Sequence, residues 1–429
     1  MKLFRQMLVA GAAMSLIAPI CAQASDINIE GMNSYAKSKR SSSKKQKQFS
    51  SKTFSNEIAT SAKNVEILEN DFKAYEAGSF SETTTLDGKA VFTLAAADHS
   101  GSYTSNNSEA AYAAYMYQMN LNTSFSGDDN LYVRLKTGNA TGWAGTEEQG
   151  GYLSSSKGNS DTLKVDKIWY TFPIGESNTF WIGPEIENYY MHATTPSIYS
   201  PTLKQFTLGG NAAAYGASTN SGFGWAFNAD NGFAVSSNVV SKQTNDTTVG
   251  LGLFTDDAKT SWATQVGYTQ PQWSVSAIMN LKYNGWEDDY FSTSEGALRT
   301  VNSGLNSTNI GLRAWWRPES TGTAVPSISV GYDTSEVHGA PANTSQTDMI
   351  FVGLNWADMF QAEDKIGLAF GQPQTAEDET VDPFSYELYY QYSLNDATSL
   401  RTTYFSNSDR DGTSGNDNTG VVVESTFKF

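Results

Sequence analysis

The chain has 429 residues with 28 Lys or Arg and 45 Asp or Glu, giving a formal net charge of −17. This acidic balance excludes the basic footprint of a nucleic-acid-binding protein. One cysteine, Cys21, excludes a disulfide framework, and three scattered histidines (His99, His192 and His338) share no metal-ligand spacing and no HExxH motif. We therefore predict no metal, no cofactor, no nucleic-acid partner and no enzymatic activity.

Residues 1–24 have the pattern of a secretory signal peptide. Lys2 and Arg5 provide a positive start, residues 7–20 are mostly apolar, and Ala22-Gln23-Ala24 offers a small-x-small cleavage site. The order of these three features predicts export of the protein.

Residues 25–53 are predicted to form a polar, basic linker. Residues 25–52 contain seven basic and two acidic side chains, a net charge of +5, and residues 38–52 contain a single apolar side chain, Phe49, which is too little to form a core. Two interpretations stay open. The segment is a solvated linker, or its lysines contact an anionic cell-wall polymer.

Residues 54–77 are predicted to form a short helix. Between positions 54 and 76 there is no Gly or Pro, and apolar residues such as Ile58, Val65, Leu68 and Phe72 follow heptad spacing. A helix of this length is marginal alone. Its apolar seam is therefore expected to pack on copies of itself or on the remainder of its own chain.

From residue 78 to residue 429 the sequence changes to segments of about ten residues that alternate apolar and polar side chains. The clearest are residues 117–125, 131–137, 275–283, 310–317 and 386–394. Isolated charges and amides on the polar faces favour a water-filled lumen over the interior of a soluble sandwich. Short and long connections alternate along the chain. We predict an all-β fold, an antiparallel transmembrane β-barrel of about 16 strands.

The last predicted strand, residues 421–429, alternates most regularly. Its apolar face carries Val421, Val423, Phe427 and Phe429, and the chain given ends on that last phenylalanine. Phe427 and Phe429 are our candidates for an outer-membrane insertion signal. The expected location is the outer membrane, with its lipid as a partner.

Residues 80–429 resemble the cyanobacterial outer-membrane porins of the OprB-type carbohydrate-selective family, which includes iron-uptake-like porins. The similarity lies in the order of several motifs: FSETTTLDGKAVF at 80–92, FWIGPE at 180–185, PSIYSP at 196–201, WWRPE at 315–319, LAFGQP at 368–373 and STFKF at 425–429. Relatives usually carry an S-layer-homology domain near the N-terminus. Residues 26–35 resemble its start, but its body is missing here.

The resemblance implies an outer-membrane channel for passive diffusion of small hydrophilic solutes, such as inorganic ions and sugars, and a homotrimer. The alternative is a structural tether between outer membrane and cell wall, or an adhesin, with little transport. A tether would place the function in the N-terminal segment, whereas a porin places it in the barrel lumen.

Selectivity of a channel depends on its width and on the charges that line it. Candidate pore-lining residues are the charged side chains on predicted inward faces or near the long loop: Arg134, Lys136, Lys282, Arg313, Arg317, Arg401, Glu185, Glu187 and Glu387. They could set a transverse field, or they could hydrogen-bond across the lumen and fix the barrel shape. The sequence favours neither role.

Residues 184–221 form the longest predicted connection and are the candidate for a loop that folds into the pore. Its aromatic candidates are Tyr189, Tyr190, Tyr199 and Phe206. Such rings could stack on sugar faces, as the family name implies, or they could pack the loop onto the wall.

Overall fold

The computed structural model describes residues 83–429, apart from 102–109, 146–149, 211–212, 216–218, 243–246, 249, 254, 287–304, 340–345 and 378. The predictions of a signal peptide at 1–24, a linker at 25–53 and a helix at 54–77 all lie outside the described residues. They stay predictions.

The described chain forms sixteen β-strands. Their bounds are β1 Thr84–His99, β2 Tyr112–Thr123, β3 Asn130–Gly138, β4 Lys164–Ile174, β5 Asn178–Ile186, β6 Asn220–Asn228, β7 Phe233–Ser241, β8 Thr260–Gln270, β9 Trp273–Tyr283, β10 Asn306–Trp316, β11 Ser327–His338, β12 Gln346–Ala357, β13 Lys365–Ala376, β14 Phe384–Asn395, β15 Thr398–Ser408 and β16 Asn418–Lys428. The only helical pieces in the part of the chain described are short 3₁₀ turns, which include Asn188–Met191 and Lys204–Gly209.

The strands close into one antiparallel barrel in which each strand pairs with its sequence neighbours. The barrel closes where β16 pairs with β1, from Lys89 opposite Lys428 to His99 opposite Asn418. Closure leaves no strand edge, so the backbone amides and carbonyls of all strands can pair. The predicted fold class, an antiparallel barrel of about 16 strands, is confirmed.

Successive side chains alternate between the outside and the inside of the barrel. On β9 the apolar Val275 and Met279 are exposed, whereas their respective neighbours Ser274 and Asn280 are buried. On β10 Leu312 is 50% exposed. An apolar exterior over a polar interior is the reverse of a soluble fold and is typical of a barrel in lipid.

The connections alternate in length, as the sequence predicts. One rim has tight turns, such as residues 175–177, 271–272 and 396–397, and the other rim has long loops such as 139–163 and 187–219. Among the described residues, no helix is both long and apolar enough to cross a membrane.

The turn after β2 differs from its prediction. The sequence predicts a strand to Phe125, but β2 ends at Thr123. The Asp129 carboxylate accepts hydrogen bonds from Ser124 Oγ and from the backbone N–H groups of Phe125 and Ser126 at 2.8–2.9 Å. These bonds stabilise a turn in place of the last two strand residues.

Candidate functional site

The described residues of the long connection between β5 and β6 (187–219 without 211–212 and 216–218) fold into the barrel, and we call them the inner loop. Its backbone is bonded to wall side chains far along the chain. Thr194 N donates to Gln265 Oε1 on β8 at 2.9 Å, and Ile198 N donates to Ser329 Oγ on β11 at 3.1 Å. Because these acceptors lie on two separate strands, β8 and β11, the inner loop crosses the interior rather than projecting from the rim.

Glycines on the inner face of the wall provide room for the inner loop. A Cβ added to Gly267 on β8 would overlap Thr194 of the loop, and one added to Gly331 on β11 would overlap the backbone carbonyl of Gly209. A strand glycine often marks such a close backbone approach. The loop path is therefore encoded in the wall as well as in the loop.

Arg313 on β10 is a buried charged group that attaches the inner loop. Its side chain is fully buried and pairs with the Asp333 carboxylate on β11. The guanidinium also donates from Nε to the carbonyl oxygen of Leu208 and from Nη2 to that of Gly210, both at 2.9 Å, and it lies over the Tyr215 ring, 4.5 Å from its centroid. Arg313 therefore links two strands to the loop.

Glu387 on β14 is another attachment of the inner loop and is also fully buried. Its Oε1 accepts from the Tyr199 hydroxyl at 2.9 Å and from Thr202 N at 3.1 Å, and its Oε2 accepts from Leu203 N at 2.7 Å. Three donors from one short stretch of loop thus converge on a single carboxylate.

The loop between β3 and β4, residues 139–163, packs on the inner loop. Ser154 N donates to the carbonyl oxygen of Thr202 at 2.8 Å, and Lys204 N donates to that of Tyr152 at 2.9 Å. Farther along, Trp143 packs against Phe405 on β15 with ring centroids 5.7 Å apart. The two loops thus meet in the interior, where they also contact β14 and β15.

A cavity of about 450 Å³ lies between these two loops and the wall formed by β1 to β4. We call it the basic cavity. Its charged lining residues are Lys89, Arg134, Lys136, Lys157, Lys167, Lys204, Asp166 and Glu187. Gln118, Ser154, Thr207 and Thr219 add neutral polar groups. The lining is suited to a charged or hydrophilic solute and offers little to an apolar one.

A β-bulge in β4 shapes this lining. Arg134 on β3 pairs with Lys167, and the next residue, Leu135, pairs with Val165, so Asp166 has no partner in the register. Two successive side chains, Asp166 and Lys167, consequently both line the cavity. A regular strand would turn one of them outward.

Both carboxylates in the lining are already engaged by cations. Asp166 accepts from Arg134 Nε at 2.7 Å and pairs with Lys157 Nζ at 2.8 Å. Glu187 pairs with Lys167 Nζ at 2.6 Å. Burial raises the pKa of Glu187, but the Lys167 charge and the hydrogen bonds from Lys167 and Tyr189 together lower it by more, so that the net shift is downward and the carboxylate stays ionised.

The candidate charged residues fall into three groups in the structure. Arg134, Lys136 and Glu187 line the basic cavity. Arg313, Glu387 and Arg401 bond to the inner loop; Arg401 Nη1 donates to the carbonyl oxygen of Ser200 at 3.1 Å. The remaining three lie elsewhere: Lys282 is buried on β9, Arg317 is exposed after β10, and Glu185 is exposed near the end of β5.

The four aromatic candidates also separate. Tyr199 and Phe206 are buried and pack on Phe351 of β12, with ring centroids 5.8 Å apart in both pairs. Tyr189 lines the basic cavity, and Tyr190 packs on Trp169 at 4.8 Å. Packing on the wall thus accounts for Tyr199 and Phe206, while sugar stacking at Tyr189 stays a prediction.

Sequence reasoning missed several charged residues of this lining: Lys89, Lys157, Asp166, Lys167 and Lys204. Lys157 and Lys204 lie in loops, where no alternating pattern of side chains predicts which of them point into the barrel. For Asp166 and Lys167 the signal was the run Lys164-Val-Asp-Lys167, where charges break the two-residue period, as at a bulge.

The interior also contains a histidine, and its possible metal ligands can be surveyed. Burial lowers the pKa of His192 to about 3, so its ring is neutral at ordinary pH. In the described ranges, no group of three or more His, Cys, Asp or Glu side chains is placed to bind a metal ion.

Solved structures with this architecture exist. Two variants of the porin from Rhodopseudomonas blastica match 81% of this chain and 100% of their own, with a TM-score of 0.50 and 11% sequence identity. The barrel has the fold of a porin. A loop-deletion variant of OmpT, an outer membrane protein of Vibrio cholerae, covers 81% of this chain with a TM-score of 0.49 and 13% identity.

No protein-family model matches the chain. A Nostoc sp. (strain PCC 7120) protein, described only as uncharacterized protein alr4550, is 27% identical over 398 residues. That match covers 81% of this chain but 65% of the Nostoc protein, so this porin-fold chain spans less than two thirds of that relative.

Proposed function

We propose that this protein is an outer-membrane porin, a passive diffusion channel for small hydrophilic solutes. The observation that carries the proposal is a closed barrel, apolar outside, whose inner loop leaves a polar, charged cavity against one wall. Closure satisfies the backbone within lipid, and polar lining groups can replace water around a passing solute. The solutes would include inorganic ions and sugars.

The resemblance to cyanobacterial OprB-type porins supports the same proposal and adds a homotrimer and the outer membrane as its location. Phe427 and Phe429 remain our candidates for the insertion signal. In the closed barrel Phe429 stacks on Tyr117 of β2 at 5.8 Å, and Phe427 contacts Phe92 of β1 at 5.3 Å. The terminal aromatic rings therefore contact the first two strands.

Single-channel recording tests the channel. Purified protein added to a planar lipid bilayer is expected to give stable, ohmic conductance steps in salt, because the polar cavity admits hydrated ions. Sugar added to one side is expected to reduce the current if carbohydrates use the same path. Folding of the sample is checked by heat-modifiable migration on gels. Folded protein without conductance would reject the porin and favour the tether or adhesin.

Membrane insertion predicts a second result. Leu312 lies near the middle of β10 on the exposed, apolar exterior. Leu312→Arg is expected to lower the free energy of unfolding by about 2–4 kcal/mol, because an arginine at the midplane of a bilayer is poorly solvated. Denaturant titration in lipid vesicles measures this.

The matched control is Asp396→Arg, in the exposed tight turn between β14 and β15. It adds the same side chain outside the apolar band, and stability should stay close to that of the unaltered protein. Equal destabilisation by both substitutions would contradict burial of the β10 exterior in lipid.

A further inference from the structure

The charge of the basic cavity is opposite to that of the chain. Acidic residues outnumber basic ones by 45 to 28 in the sequence, whereas the cavity lining has six basic and two acidic side chains. The lining therefore carries a formal excess of four positive charges. The excess is assembled from β1, β3, β4 and both inward-folded loops, between residue 89 and residue 204 of the sequence.

The two carboxylates of the lining are neutralised by its own cations. Asp166 is engaged by Arg134 and Lys157, and Glu187 by Lys167. Within the described ranges, no carboxylate lies at ion-pair distance from Lys89 or Lys136. Positive charge thus remains after every ion pair of the lining has formed.

Clustered cations are an unfavourable way to stabilise a fold. Lys136 lies in the electrostatic neighbourhood of the cations Arg134, Lys157 and Lys204 and of Asp166. Lys89 lies in that of Arg134, Arg401 and Lys428 and of Glu424. Like charges in a partly enclosed, low-dielectric space repel, and burial away from water adds a further cost. An anion that enters the cavity would relieve that repulsion and receive hydrogen bonds from several ammonium groups.

We propose that the basic cavity binds small inorganic anions and makes the channel anion-selective, with divalent oxyanions such as phosphate and sulfate bound more strongly than chloride. This inference rests on the proposed porin function and names the solute class of the same passage. The cations would attract the anion, and the second N–H of the Gln118 amide, whose first N–H donates to Asn120, would add a neutral hydrogen bond.

Reversal potentials in a KCl gradient test the proposal. A mean potential of about +1 kT per unit charge in the passage gives an anion-to-cation permeability ratio of about seven. The double substitution Lys89→Gln with Lys136→Gln should bring this ratio toward about one, and Lys136→Glu should lower it as a single change. Phosphate added to the chloride solution should reduce the current in the unaltered protein and much less in the double variant.

The matched control is Lys259→Gln, in the loop between β7 and β8, which is not part of the cavity lining. It removes one positive charge outside the cavity lining and should leave the permeability ratio unchanged. Heat-modifiable migration on gels verifies that each variant is a folded barrel.

The outcomes separate the two proposals. Conductance steps with a cation-selective or neutral reversal potential, or a selectivity that the cavity substitutions leave unchanged, would overturn the anion passage alone. An equal effect of Lys259→Gln would assign selectivity to overall charge and would also overturn it. Folded protein without conductance would overturn the porin, and the anion passage with it.

Discussion

Replacing Arg313 with methionine is expected to lower the free energy of unfolding by about 3–5 kcal/mol, since it leaves the buried Asp333 carboxylate without its cation. The same change removes the donors that the carbonyl oxygens of Leu208 and Gly210 accept from. Methionine has a similar length, so the loss of charge and hydrogen bonds dominates over the loss of volume. Guanidinium unfolding followed by tryptophan fluorescence measures the effect.

Two further variants make this result specific. Arg313→Met combined with Asp333→Leu removes both charges and should recover much of the lost stability, because an apolar pair often replaces a buried ion pair at little cost. Arg317→Met, at an exposed position after β10, should leave stability within measurement error. A single Arg313→Met variant as stable as the unaltered protein would contradict the ion pair as the attachment of the loop.

Alternation made the barrel predictable because each strand is exposed to lipid-like surroundings on one side only. On β3 the pattern placed Arg134 and Lys136 on the inward face, and both line the basic cavity. The same rule failed on β4, where the bulge at Asp166 turns consecutive side chains inward. The alternation of side chains between the two faces predicts their direction only in regular strands. After a single inserted residue, the pattern no longer tells which side chains point inward.

The sequence predicted that the inner loop folds into the barrel, but not which strands it contacts. Which wall it contacts depends on pairs far apart in sequence, such as Ile198 with Ser329 and Thr202 with Glu387. Strand glycines give a partial signal of where the loop contacts the wall. Gly267 and Gly331 have no side chain, and this leaves space for the loop on the inner face of the wall. One sequence cannot tell such a glycine from one that serves a bend.

Arg313 and Glu387 show why charge alone did not locate the passage. Both were candidates for pore-lining residues because each lies on the inward face of its strand. In the folded chain each is covered by the inner loop, which supplies acceptors to Arg313 and donors to Glu387. An inward charge lines a passage only where no loop covers it. That condition is met on the β1 to β4 wall.

Glu387→Ala is therefore expected to detach the inner loop locally and to raise the single-channel conductance and the open-channel noise. The substitution leaves the Tyr199 hydroxyl and the N–H groups of Thr202 and Leu203 without their buried acceptor. Unsatisfied buried donors cost about 1–3 kcal/mol each, so a total near 3 kcal/mol would already raise the detached fraction about 100-fold. A detached loop would widen the passage beside it.

Two graded controls accompany this variant. Glu387→Gln keeps one acceptor oxygen in place and should give an intermediate change. Thr403→Val removes only the hydroxyl contact with Thr202, which is 2.8 Å long, and should have a small effect. Conductance and noise of Glu387→Ala equal to those of the unaltered channel would show that the remaining contacts of the loop suffice. The strongest of these remaining contacts are the hydrogen bonds from Arg313 to the carbonyl oxygens of Leu208 and Gly210. They attach the loop a few residues after the segment that Glu387 binds.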